Sequence, residues 1–410
     1  MKSHYLFFIL LFSISFNAYS GQFVLLNESE IATTKASLKD SSASKATKDA
    51  YKRLIKDANK LLDAPNYSVV DKTIFPLPPG TTANDFISIS SKWWPNENKA
   101  DGLPWKKLGD SNPDNKSDKT DQIRIENMAK AVYTLSQAYY FSDTPEYAEK
   151  ASTMIKVWFL ANKTRMNPHL QYAQTVPGVD KRSSSGIMDG RFIPLNILDS
   201  INLIRGSQYW PERFDQVMNQ WLSTYFKWLT GSKMGHKTSE KESRHGSWYY
   251  FQTSALAWYL NDEKALSRQF KRARGIMSPQ FNGKGAQPEQ LKRSKPFRDS
   301  CFNLEALTNI GVIAEKANKK FWNHKSTIAK GISHLLPVAQ SGEWEYEKSA
   351  LRSYECLNAF TNYAEYADST EAKTAISNIL TAIDNKEKKS GDEKRAYARI
   401  ALYKPHLLGQ

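Results

Sequence analysis

The chain has 410 residues, with 57 Lys or Arg against 42 Asp or Glu, a formal charge of +15. No window after residue 20 is apolar for the roughly 20 residues that a membrane-spanning helix needs, which excludes stable membrane insertion through a helix. The excess of cations points to an anionic partner, acidic polysaccharide or a membrane surface rather than nucleic acid, with a merely solvated basic surface as the alternative.

In chain order, Lys2 precedes an apolar run from Tyr5 to Phe16, and Ala18-Tyr19-Ser20 puts small residues at the third and last positions before Gly21. This reads as a cleavable signal peptide over 1–20 and predicts a periplasmic or secreted protein. Residues 21–44 are rich in Ser, Thr, Lys and Ala with little apolar periodicity, and are expected to form a linker or disordered arm. A helix is expected over 45–63. Between 66 and 122, "FPLPPGTTAND", "KWWPNENKADGLPW" and "DSNPDNKSDKTD" place Pro, Gly, Asn and Asp too often for helix, which suggests a long functional loop region or lid.

After Gln122 the apolar spacing becomes three and four residues, in "IENMAKAVYTLSQAYYF", "EYAEKASTMIKVWFLA", "IPLNILDSINLIRG", "FDQVMNQWLSTYFKWL" and "WYYFQTSALAWYL". Further helical segments are expected at about 262–277, 301–317, 321–338, 349–367, 370–384 and 392–403. Strand periodicity is almost absent. Helices joined by alternating short and long loops suggest an all-α protein, antiparallel pairs arranged in an α/α toroid, with 45–410 as a single domain and loops gathered around a cleft at one end.

Cys301 and Cys356 can form a disulfide in an exported protein, and burial as two small apolar side chains is the alternative. The seven histidines are scattered and no HExxH or CxxC occurs, so no metal or other cofactor is expected.

Three loop-to-helix junctions concentrate polar and aromatic groups. In "ISSKWWPNENKADGLPW", Trp93, Trp94 and Trp105 can stack on sugar rings or plug the end of the helical ring. "TRMNPHLQYAQTVPGVDKRSSSGIMDGR" carries Asn167, His169, Gln171, Tyr172, Gln174, Asp180, Arg182, Asp189 and Arg191; Asp189 and Arg191 can serve the start of the following helix, whereas several amides in one loop suit a polar ligand. The third junction joins "SRHGSWYYFQ" to "GKGAQPEQLKRSKPFRDSCFNLEAL", where Lys292, Arg293, Lys295 and Arg298 crowd around Asp299. Such a charge run is a solvated face or a clamp for carboxylates.

The stretches "SKWWPNENKADGLPW", "RMNPHLQYAQTVPG", "HGSWYYFQTSALA" and "GAQPEQLKRSKPFRDSCFNLEAL", in this order, resemble the alginate lyase superfamily of polysaccharide lyases over about 85–320. The resemblance implies an α/α toroid that cleaves uronate-containing chains by β-elimination. That reaction removes the proton at C5 beside a carboxylate whose charge must be neutralised, and expels the oxygen at C4.

In the family an Asn-His pair opens the aromatic helix, and an Arg is followed six or seven residues later by a Tyr. His245 and Arg293 match the His and the Arg. Arg244 stands in place of the Asn, and Asp299 and Ser300 stand where the Tyr would be. Three readings follow. His245 acts as the base with Tyr249 or Tyr172 as proton donor; Asp299 recognises or deprotonates a different substrate; or the scaffold is catalytically inactive and binds acidic glycan. The first gives catalytic roles to His245, Arg244, Arg293 and Tyr249, with Trp93, Trp94, Asn167, Tyr172, Gln174, Arg191 and Asp299 binding an anionic uronate polymer. The protein is expected to work as a monomer.

Overall fold

The three- and four-residue apolar spacing produces helices whose burial depends on their place in the ring. The computed structural model describes residues 22–74, 77–179, 186–347, 349–366, 369–385 and 390–408. The expected signal peptide, Asp180 and Arg182 lie outside the described residues. The helices are α1 (Glu28–Lys39), α2 (Lys45–Leu62), α3 (Asp121–Ser142), α4 (Pro145–Ile155), α5 (Leu198–Ile204), α6 (Glu212–Gly231), α7 (Lys233–Ser239) and α8 (Arg244–Tyr259). They continue with α9 (Glu263–Met277), α10 (Pro288–Leu291), α11 (Pro296–Lys316), α12 (Thr327–Ser341), α13 (Leu357–Tyr366), α14 (Thr370–Asp384) and α15 (Gly391–Tyr403).

Chain neighbours pair, α3 on α4, α8 on α9 and α13 on α14, while α3–α5, α8–α11 and α11–α13 contacts carry the ring onward. It closes where α15 packs on α2, with Thr47 Oγ1 donating to the Ala401 carbonyl at 3.0 Å. The α8 and α11 sequences are apolar or small on nearly every side and are buried almost throughout, whereas α2 and α9 bury one stripe and expose Lys, Arg and Asp. The expected all-α toroid is therefore the observed architecture. Among the described residues no helix is long and apolar enough to cross a membrane.

The stretch between α2 and α3 has Pro and Gly in place of helix formers, and it folds as a cap. Strand β1 (Ile87–Ile89) pairs in parallel with β4 (Tyr172–Thr175), and β2 (Trp93–Trp94) runs antiparallel to β3 (Lys106–Lys107). Ile74, Ile87, Ile89, Trp105 and Val176 form a small core of their own beneath it. Asp121, in the first turn of α3, accepts the Ile87 N–H at 2.8 Å and lies 3.3 Å from the buried Lys72 ammonium. The cap is thereby tied to the ring.

One expectation fails at the N-terminus. The segment expected as a loose arm contains α1, and ahead of it the side chains of Val24 and Leu26 are buried in the main core. Its low helical periodicity misled because the anchor is polar and distant in sequence. The buried Asp199 carboxylate accepts the N–H groups of Val24 at 2.5 Å and of Leu25 and Leu26 at 2.9 Å each. Replacing Asp199 with Asn leaves one of its two accepting oxygens and is expected to cost about 2 kcal/mol of stability. Denaturant unfolding measures that loss, and proteolysis before residue 40 should accelerate.

Cys301 of α11 and Cys356 are joined in a disulfide with a Cα–Cα distance of 4.8 Å. It fastens α11, which carries part of the cleft described below, to the short turn Ser353–Cys356 that leads into α13.

Candidate active site

A cleft of about 440 Å³ opens at the loop end of the ring. The start of α8 supplies Arg244 and His245, the start of α11 supplies Arg298, Asp299 and Phe302, and the turn after α10 supplies Arg293. Gln174 comes from β4, Asp189 and Arg191 from a 3₁₀ turn over Ile187–Arg191, and Gln122 from α3. Six segments thus meet at one cleft.

His245 is the second residue of α8, half-buried at the cleft wall, and among the described residues its imidazole makes no hydrogen bond. The following residue has to be small, because a Cβ on Gly246 would overlap the Lys241 carbonyl oxygen. Burial, followed by the charges of Arg244, Arg293 and Lys241, pushes the His245 pKa down to about 4. At neutral pH the ring is uncharged and has a lone pair to offer.

A cation in the first turn of a helix opposes the helix dipole, so Arg244 needs a counterion there. Asp299 provides it: one carboxylate oxygen accepts from Arg244 Nη1 and the other from Arg293 Nε at 2.7 Å. The carboxylate bridges the two guanidiniums and is half-buried itself. It is occupied, which leaves it poorly placed to serve as a base.

The opposite wall is a network of neutral amides around the buried Asp189. Its carboxylate accepts from Ser88 Oγ at 2.5 Å, Gln174 Nε2 at 3.0 Å and Gln122 Nε2 at 3.1 Å, and burial raises its pKa. Gln174 has φ of 54°, a left-handed conformation unusual for a residue with a side chain, and its N–H donates to Ser88 Oγ at 2.8 Å. Gly186 has φ of 67°, and a Cβ there would come within 2.6 Å of the Ala173 carbonyl oxygen. The backbone is shaped to bring Asp189 and Gln174 together.

The structure brings His245, Arg244, Arg293, Gln174, Arg191 and Asp299 into this cleft and leaves the other sequence candidates outside it. Tyr249, one turn beyond His245, is buried in the core and its hydroxyl donates to the Leu229 carbonyl at 3.3 Å, so it does not face the cleft as the proposed donor. Burial also raises its pKa, which makes it a poorer acid. The Tyr172 hydroxyl donates to the Gly80 carbonyl at 3.2 Å, away from His245. Asn167 donates to Asp85 Oδ1 at 2.7 Å, and His169 Nε2 lies 3.2 Å from the same oxygen, so both serve to hold the cap. Trp93 packs on the core of the cap and Trp94 Nε1 donates to the Asp110 carbonyl at 3.2 Å; neither lines the cleft.

Arg298, Asp189 and Gln122 were not among the sequence-derived site residues. Asp189 and Arg298 stood in the second and third polar junctions respectively, but only the fold separates cleft residues from solvated charge and helix caps. Gln122, in the first turn of a helix, carried no signal. Among the described residues no group of three His, Cys, Asp or Glu side chains could hold a metal ion.

Comparison with known proteins agrees with this architecture. The family model described as alginate lyase matches residues 68–344. The structure is similar to that of an alginate lyase from Bacteroides ovatus, with 26% identity, a TM-score of 0.80, and coverage of 93% of this chain and 98% of that one. It also shares its fold with alginate lyase A1-III from Sphingomonas species A1, at 12% identity and a TM-score of 0.57 over 94% of this chain and 97% of the other. A variant of A1-III complexed with a tetrasaccharide gives a TM-score of 0.54 at 10% identity, over 86% and 89% of the two chains. No curated protein matches the sequence. With the family model covering well over half of its length and the toroid to match, the chain belongs to the alginate lyase family of polysaccharide lyases.

Proposed function

We propose that this protein is an exported lyase that cleaves an alginate-like uronate polysaccharide by β-elimination, with His245 as the group that moves the proton. The observation that carries the reading is the uncharged, half-buried imidazole set among guanidiniums at the wall of an open cleft. Guanidiniums lower the cost of the carbanion by neutralising the adjacent carboxylate as its charge spreads. The imidazole takes the C5 proton.

A bound carboxylate also changes the base. Its negative charge offsets the cations that depress His245, so the imidazole becomes more basic once substrate is in place. Among the described residues that line the cleft there is no tyrosine. The imidazolium formed in the first step is therefore the group best placed to return the proton to the C4 oxygen, which makes removal and delivery occur on one face of the sugar. Gln174 and the Asp189 network contribute hydrogen bonds to sugar hydroxyls, and the apolar run from Tyr5 to Phe16 supports export to where polymeric substrate is met.

The missing tyrosine also suits a catalytically inactive protein that binds acidic glycan. Incubation of the protein from residue 21 onward with alginate, polyglucuronate and glycosaminoglycans distinguishes the two by ultraviolet absorbance of the unsaturated uronate. A rise on at least one polymer is expected. A flat trace on all of them, with binding retained, would establish the inactive reading.

A further inference from the structure

Four guanidiniums reach the cleft, but they are not equivalent. Arg244 and Arg293 already share the Asp299 carboxylate. Arg191 and Arg298 have no carboxylate within ion-pair distance among the described residues, and Glu355, whose charge Arg298 feels, lies beyond that distance. The two unpaired side chains are neighbours. Arg298 and Phe302 are four residues apart on α11 and so share a helix face, and the Arg191 guanidinium sits 5.7 Å from the Phe302 ring and 4.1 Å from the Phe192 ring. Arg191 is held in that place by a hydrogen bond from Nη1 to the Met188 carbonyl at 2.9 Å. Burial is what lowers the Arg191 pKa; the charges of Asp189, Glu126 and Glu305 oppose that shift from beyond ion-pair distance, and the charge of Arg298 adds to it.

Two guanidiniums at one cleft, one of them set against aromatic rings and neither holding a carboxylate at ion-pair distance, offer charged donors to an incoming anion. We propose that Arg191 and Arg298 form an anion subsite separate from the Arg244–Asp299–Arg293 bridge, which receives the carboxylate of the sugar unit next to the one at His245. The proposal rests on the uronate reading given above. It assigns Arg298 a role in recognition and makes Asp299 the residue that keeps the two pairs of cations distinct: by satisfying Arg244 and Arg293, it leaves the neighbouring pair as the stronger attractor for substrate.

Arg298→Gln removes one of the two charges at an exposed side chain that makes no hydrogen bond among the described residues, so the fold is not at risk. Calorimetric binding of a uronate tetramer, and of the same tetramer with its carboxyls methyl-esterified, is measured for the wild type, for Arg298→Gln and for Lys292→Gln. Lys292 is an exposed cation outside the cleft, 2.5 Å from Glu289. Arg298→Gln should weaken the acidic tetramer about tenfold or more, as loss of a charge-assisted pair does, while the ester binds wild type and variant alike. With a turning-over enzyme the same loss appears mainly in KM. Equal affinity of Arg298→Gln and Lys292→Gln for the acidic tetramer would overturn the subsite, and so would an equal loss on the ester. Because the readout is binding, it holds even if no polymer is cleaved, and a failure of the elimination reading is seen separately in the absorbance assay.

Discussion

His245→Ala is expected to lower kcat for uronate elimination by about 10³-fold, within the range found when a general acid–base group is removed. The size follows from the site. Among the cleft residues only His245 combines an uncharged nitrogen at neutral pH with freedom from any hydrogen bond among the described residues. The guanidiniums have no free lone pair with which to accept a proton, and both oxygens of Asp299 are engaged by arginines. Loss of activity should come without loss of fold, because the ring is half-buried and holds nothing in place; the midpoint of thermal unfolding should move by no more than a few degrees. A variant with near-normal turnover would transfer the base role to another group.

Asp299→Ala is expected to reduce kcat/KM by about 10²-fold and to lower stability by about 2 kcal/mol, less than for a sealed ion pair because the carboxylate is partly open to water. The physical cause is two guanidiniums released at once. Arg244 is mostly enclosed and its Nε has no partner, so without Asp299 it would be left as an uncompensated charge at the start of a helix. Its movement would disturb His245, the next residue in the chain. Asp299→Asn, which keeps one accepting oxygen, should lie between wild type and Ala in both measurements. Were Asp299 the base, Asn and Ala would be equally inactive, and steady-state kinetics of the pair decides the matter.

The ring was legible in the sequence because apolar spacing of three and four residues is dictated by burial on one side of a helix, and α2, α9, α14 and α15 begin and end within a residue or two of the expected limits. The N-terminal segment was not legible, since its hold on the fold is three backbone N–H groups meeting Asp199, some 175 positions away. At the site, His245 and Arg293 could be picked out by resemblance and Arg244 by its place beside the histidine. Tyr249 was misplaced for a reason of geometry: four residues along a helix put it on nearly the same face as His245, but one turn deeper, where α6 and α8 pack together. The amides of the second junction divided in a way that composition could not foresee. Gln174 joins the Asp189 network at the cleft, and Asn167 is spent on Asp85.

The pH dependence of kcat/KM is the sharpest check on His245 as the base, because it reports the ionisation of the free enzyme. The uncharged imidazole is the active form, so activity should be full at neutral pH and fall as pH drops through the His245 pKa of about 4. In Arg293→Gln, where one of the depressing charges is gone, the acid limb should move to higher pH. An acid limb near the ordinary histidine value of 6.5 in the wild type, or one that does not move when Arg293 is replaced, would contradict the account.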